Sequence, residues 1–194
     1  SYIGVGYNRK IVPAADVPKN FDDLLKPALR GKMAISNDDV AARLFGGMIK
    51  AKGDGFVKKL KEQDVTVHGV SGPGFNELIV SGEVAISFTA IQSNIGHAVD
   101  KGASVAWVPM DLVPAIAGGV AVFAHAQRPH AALLLVDFFL SPEGQKMLVD
   151  TFRHGSPVRD TGFKRWYPEE GFTTAQYDEA MNRWQKLVGE FIRR

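Results

Sequence analysis

The 194-residue chain contains no cysteine. That absence excludes disulfides, thiolate metal ligands and cysteine nucleophiles, and it leaves both oxidising and reducing compartments open. Long apolar runs are missing as well. The best window, residues 105–126, is interrupted by prolines and polar groups, so no segment is long and apolar enough to span a bilayer. Neither sign of charge dominates: 23 Lys and Arg stand against 21 Asp and Glu, a net charge of +2, which argues against a dedicated nucleic-acid binder. The five histidines, His68, His97, His125, His130 and His154, keep no metal-ligand spacing and read as solvated or core residues. No Gly-x-Ser-x-Gly elbow, phosphate-binding loop or dinucleotide fingerprint occurs, and Gly53/Gly55 and Gly72/Gly74 read as turns. Asp38 and Asp39 are adjacent at a helix start and do not face one another, so they make no catalytic pair. These absences point to a non-catalytic protein without a cofactor or metal.

With 45% hydrophobic and 23% charged residues, the chain has the composition of one to two globular domains. Strands are expected at residues 2–7, 33–35, 65–70, 84–88, 105–108 and 120–124, from short apolar or alternating runs bounded by turn residues. Helices are expected at residues 21–25, 40–52, 56–63, 75–80 and, after Thr89, through Val99. A further apolar run, residues 130–140, is long enough for a buried helix, and Ser141-Pro142-Glu143 has the pattern of a helix start. Near the end, Thr173 and Gln176 form a capping-box pattern. Tyr177, Met181, Trp184, Val188 and Phe191 then recur at helical spacing as a core-facing stripe. Strands followed by helices define an α/β architecture with a largely parallel sheet.

In such sheets ligands bind beyond the carboxyl ends of the strands. Three strand-to-helix loops should meet there: residues 36–39, 70–74 and 89–94. Ser36, Asn37, Asp38, Ser71, Thr89, Gln92 and Ser93 would supply side chains, and Gly72 and Val40 backbone N–H groups. Taken singly, each of these residues reads as a helix cap; three such loops together favour a site. Arg43, one turn into the first of these helices, would reach an anionic ligand or serve as a surface arginine.

Several stretches carry a family resemblance. Asp16-Val17-Pro18-Lys19-Asn20-Phe21-Asp22-Asp23-Leu24-Leu25, with Lys26-Pro27 and Gly31-Lys32 behind it, resembles a signature of ABC-importer solute-binding proteins, most of all the ferric-iron-type periplasmic group. Val136-Asp137-Phe138-Phe139-Leu140-Ser141-Pro142-Glu143-Gly144-Gln145 is similar to a second segment of that family, and Ile3-Gly4-Val5-Gly6-Tyr7-Asn8 to the strand preceding the first.

The resemblance implies a type 2 periplasmic-binding-protein-like α/β fold with one complete lobe and part of a second. Residues 1–112 would form the second, C-terminal lobe with a hinge strand, residues 113–160 would return to the first lobe, and residues 161–194 would pack a helix on the second. It implies a C-terminal portion of a longer periplasmic parent, with the signal peptide and most of the first lobe ahead of Ser1. The function implied is non-catalytic binding of a small polar or anionic solute between two lobes, hinged at residues 4–8 and 110–119, with an ABC transporter permease as partner and no direct membrane insertion. Iron-binding members of the family use adjacent tyrosines after a strand that corresponds to residues 84–88. Here Phe88-Thr89-Ala90-Ile91-Gln92-Ser93-Asn94-Ile95 carries none, so iron is not expected, and ferric-ion binding stays an alternative reading. Another alternative is the ligand-sensing effector domain of a transcription regulator. A lone lobe is expected to bind weakly or not at all.

Overall fold

A computed structural model describes residues 1–156 and 159–192; Pro157 and Val158, at the end of the expected returning segment, and the terminal Arg193 and Arg194 lie outside them. The main sheet has five strands: β1 (Ile3–Asn8), β2 (Met33–Ser36), β3 (Thr66–His68), β4 (Ile86–Ile91) and β5 (Val105–Val108), in the order β3-β2-β4-β1-β5. β2 runs parallel to β3 and β4, whereas β1 lies antiparallel between β4 and β5. The sheet is therefore parallel except for its interior strand β1. The alternation of apolar residues that marks a strand carries no direction, and a connection long enough for a crossover permits a parallel neighbour without requiring one.

Helices α1 (Asp39–Lys52) and α2 (Asp54–Lys61) follow β2, α3 (Gly72–Ser81) follows β3, and α4 (Gln92–Asp100) follows β4. Alternation along β2 sends Met33 and Ile35 into a core with Leu44, Phe45, Met48 and Leu60 of α1 and α2. Ala34 between them joins Phe75, Ile79, Ile95 and Val105 in a second core on the opposite side of the sheet. The signature stretch ahead of β2 folds as two 3-10 turns, Asp22–Leu25 and Pro27–Leu29, which bury Leu24 and Leu29 in the first core. At the end of β1, buried Asn8 donates through Nδ2 to the carbonyls of Ile79 (2.9 Å) and Val80 (3.2 Å), tying the last turn of α3 to the sheet.

The last helix, α7 (Thr174–Gly189), starts at the capping box, with Thr173 accepting from Gln176 N–H and Gln176 reaching back. Its stripe lies on α1: Phe191, just beyond its end, meets Phe45 edge-on at 5.1 Å, and Trp184 meets Trp166 at 5.8 Å. Trp166 belongs to a small parallel pair, β6 (Val113–Pro114) with β7 (Arg165–Trp166).

Between these elements the chain departs from the sequence expectation twice. Residues 120–124 form no strand, although their composition suits one, because among the described residues no neighbouring strand stands there to complete the hydrogen bonds. Helix α5 (Pro129–Leu140) does form, followed by α6 (Pro142–Asp150), which Ser141 caps by accepting from Gly144 N–H at 3.1 Å. The expected burial of α5 is not found: none of its residues is buried, and Leu134 and Leu140 are 70% and 67% exposed. Among the described residues its main packing partner is α6.

Candidate solute-binding site

The carboxyl ends of β2 and β4 and the N-termini of α1, α3 and α4 converge on one recess, lined among others by Ser36, Asp38, Gly72, Asn76, Thr89 and Asn94. Ser36 ends β2 and is fully buried. Its backbone N–H donates to Thr89 Oγ1 at 3.1 Å, its hydroxyl approaches the same atom at 3.3 Å, and Ser87 Oγ lies 3.2 Å beyond. This hydroxyl ladder joins β2 to β4 beneath the recess.

Asp38 is the N-cap of α1. Its Oδ1 accepts from Val40 N–H (3.0 Å), Ala41 N–H (3.3 Å) and Ser36 Oγ (2.8 Å). The positive end of α1 is thus already matched with a carboxylate, and Val40 N–H, expected to face a ligand, donates to Asp38 instead. α3 and α4 differ, because no side chain caps either of them. At α3, Ser71 is exposed and makes no cap bond, and Gly72 holds φ +53, a left-handed backbone that glycine adopts without strain. At α4, Gln92 N–H donates to the Tyr2 carbonyl at 2.9 Å.

Of the residues singled out in the sequence, Ser36, Asp38, Gly72 and Thr89 meet at the recess. Thr89 does so from inside β4 and not from a loop, since α4 follows β4 directly. Asn37 and Ser71 are exposed outside its lining, and buried Ser93 pairs with Ser1 Oγ at 3.1 Å. Gln92 lines a separate, wider groove with Arg153 and His154. Arg43 is committed elsewhere: its guanidinium pairs with Glu169 and lies 5.5 Å over the Tyr177 ring, on the α7 side of α1. Of the two expectations for Arg43, an anionic ligand or a surface position, neither named this pairing, which engages the guanidinium within the chain.

Two lining residues, Asn76 and Asn94, were not among the named side chains, although Asn94 closes the expected 89–94 loop. Asn76 lies four residues after Gly72, on the same face of α3 one turn inside its start, and that spacing was the available signal. Among the described residues no group of three or more His, Asp or Glu side chains is placed to hold a metal ion. No helix there is long and apolar enough to cross a membrane.

A five-stranded sheet with helices on both faces and a recess at its strand ends is the architecture of a lobe of a periplasmic binding protein. Solved structures of that class match nearly the whole chain. The substrate-binding protein of an ABC transporter from Agrobacterium tumefaciens superposes with a TM-score of 0.71 at 15% identity, covering 96% of this chain and 64% of its own. Iron-bound HitA from Pseudomonas aeruginosa gives 0.64 at 19% identity (98% and 66%). AfuA from Actinobacillus pleuropneumoniae, with fructose-6-phosphate bound, gives 0.62 at 18% identity (98% and 65%). The chain thus spans about two thirds of the length of these structures, and likeness at such identities speaks for the fold. Residues 1–180 match the family described as bacterial extracellular solute-binding protein, and the chain belongs to that family. No curated protein matches it.

Proposed function

We propose that the chain is the solute-holding lobe of an ABC importer's binding protein. It takes a small polar solute at the recess between β2 and β4 and makes or breaks no bond in it. The observation that carries this reading is the convergence of three helix N-termini on one recess, two of them left uncapped by side chains. N–H groups of a first helical turn that no side chain caps are free to donate to a ligand, apart from Gln92 N–H, which the Tyr2 carbonyl takes.

The resemblance suggests that residues 113–160 belong with a further lobe, and the exposure of that stretch supports it. Phe123 is 88% exposed, and α5 presents Leu133, Leu134, Leu135 and Leu140 to solvent. A second lobe closing over the recess would cover these side chains and complete the ligand's contacts, and the closed form would be read by the permease from the periplasmic side. Iron is the ligand of HitA; here the stretch Phe88-Thr89-Ala90-Ile91-Gln92-Ser93-Asn94-Ile95 offers no phenolate for it.

Thermal denaturation against a panel of amino acids, polyamines, sugar phosphates and inorganic oxyanions tests the reading. One chemical class is expected to raise the midpoint with increasing concentration and to be recovered unchanged. Conversion of the solute, or no response to any class by either this chain or a longer form carrying the second lobe, would overturn it.

A further inference from the structure

Asn76 is 8% exposed, and its side chain makes no hydrogen bond among the described residues; its Oδ1 is buried without a partner. The polar groups around it are otherwise engaged. Ser36 Oγ donates to Asp38, and the Thr89 hydroxyl lies between those of Ser36 and Ser87. Asp38 Oδ1 already accepts three bonds, leaving Oδ2 as the carboxylate's spare acceptor. An interior asparagine is a poor helix former, and a buried amide without partners is destabilising, so local structure gives no reason for Asn76. No protein partner fixes the amide's orientation, and a half-turn about χ2 presents either its oxygen or its nitrogen to the recess. The recess itself has room for a single water-sized group.

Resting on the solute-binding reading above, we propose that Asn76 is the specificity-determining residue of this site. With Asp38 it receives one hydrogen-donating group of the solute, a hydroxyl or an ammonium. An oxyanion is disfavoured there, because the Asp38 carboxylate shares the recess and already occupies the α1 N-terminus.

The test is an NMR titration of the 15N-labelled chain, at constant ionic strength, with ethanolamine and with inorganic phosphate as probes. Ethanolamine is expected to shift the Asn76 side-chain amide pair saturably, while phosphate does not. Replacement by the near-isosteric apolar residue, Asn76→Leu, should weaken the ethanolamine response of the Gly72 and Asn94 amides by about tenfold or more without lowering the thermal midpoint. Asp38→Asn should weaken it as well. The proposal falls if phosphate moves the Asn76 pair and ethanolamine does not, if both probes are silent there, or if Asn76→Leu binds ethanolamine unchanged. It falls too if Asn76→Leu markedly lowers the midpoint, since the amide would then be structural. A panel solute that protects wild type and Asn76→Leu equally removes the role of Asn76 and leaves the solute-binding reading standing.

Discussion

A Cβ built on Gly46 would stand 2.7 Å from Cε2 and Cζ2 of Trp184. The glycine is what lets α7 lie so close to α1, with the indole laid against bare backbone in the middle of a helix. Gly46→Ala gains helix propensity of about 1 kcal/mol but forces the ring away, and the overpacking costs about 1–3 kcal/mol. Net destabilisation is the expected outcome in urea unfolding, with a red shift of tryptophan emission as Trp184, now 6% exposed, gains solvent.

The three bonds accepted by Asp38 Oδ1 make a second prediction. Asp38→Ala removes the cap of α1 and should cost about 1 kcal/mol, while Asp38→Asn retains an acceptor and loses only a few tenths of that. If both variants unfold at the wild-type urea midpoint, the N-terminus of α1 is not held by this side chain.

Much of the fold was legible in the sequence because its signals are local. The Thr173/Gln176 box and the spacing of Trp184, Val188 and Phe191 prescribe a capped helix with one buried face, and that is what packs on α1. Short apolar runs such as Met33-Ala34-Ile35 become buried strands wherever a neighbour exists. Residues 120–124 have the same character and no neighbour, so propensity alone produced a false strand. The run in α5 identified a helix without identifying what covers it. At the site, Ser36 and Asp38 were legible as cap and loop residues. The partner of Arg43 was not, because Glu169 lies 126 residues away and nothing local joins them.

Asp23, inside the first signature stretch, gives the fold a dependence on acid. The Lys26 ammonium at 2.7 Å, and after it the Lys19 N–H at 2.9 Å, hold its carboxyl below the ordinary value. A carboxyl lowered in the folded state stabilises fully above its unfolded pKa of about 3.9, and the contribution is lost as pH falls through the lower folded value. Stability should therefore drop below about pH 4, and Asp23→Asn should flatten that part of the curve. An unchanged slope in the variant would assign the acid sensitivity to other carboxylates.

Exposure of α5 separates its leucines from those of the core. Leu134→Lys should change the unfolding free energy of this chain by less than about 0.5 kcal/mol, since the side chain is 70% exposed. Leu44→Ala, at a fully buried position on α1, should cost about 2–5 kcal/mol. Comparable losses at the two positions would mean that α5 is covered in solution.

Arg43 was a ligand candidate by position and is a packing residue by contact. Its guanidinium pairs with Glu169, whose Oε1 also accepts from the Tyr177 hydroxyl at 3.3 Å, and whose Oε2 is buried without a partner. Removing the arginine leaves the Glu169 carboxylate without its cation and uncovers the tyrosine ring. Arg43→Ala should therefore destabilise the chain by about 1–3 kcal/mol, and Glu169→Gln with Arg43→Gln should recover part of that loss by removing both charges. Any solute that protects the wild-type chain should protect Arg43→Gln by a similar shift in thermal midpoint. Loss of that protection at unchanged stability would return Arg43 to the binding site.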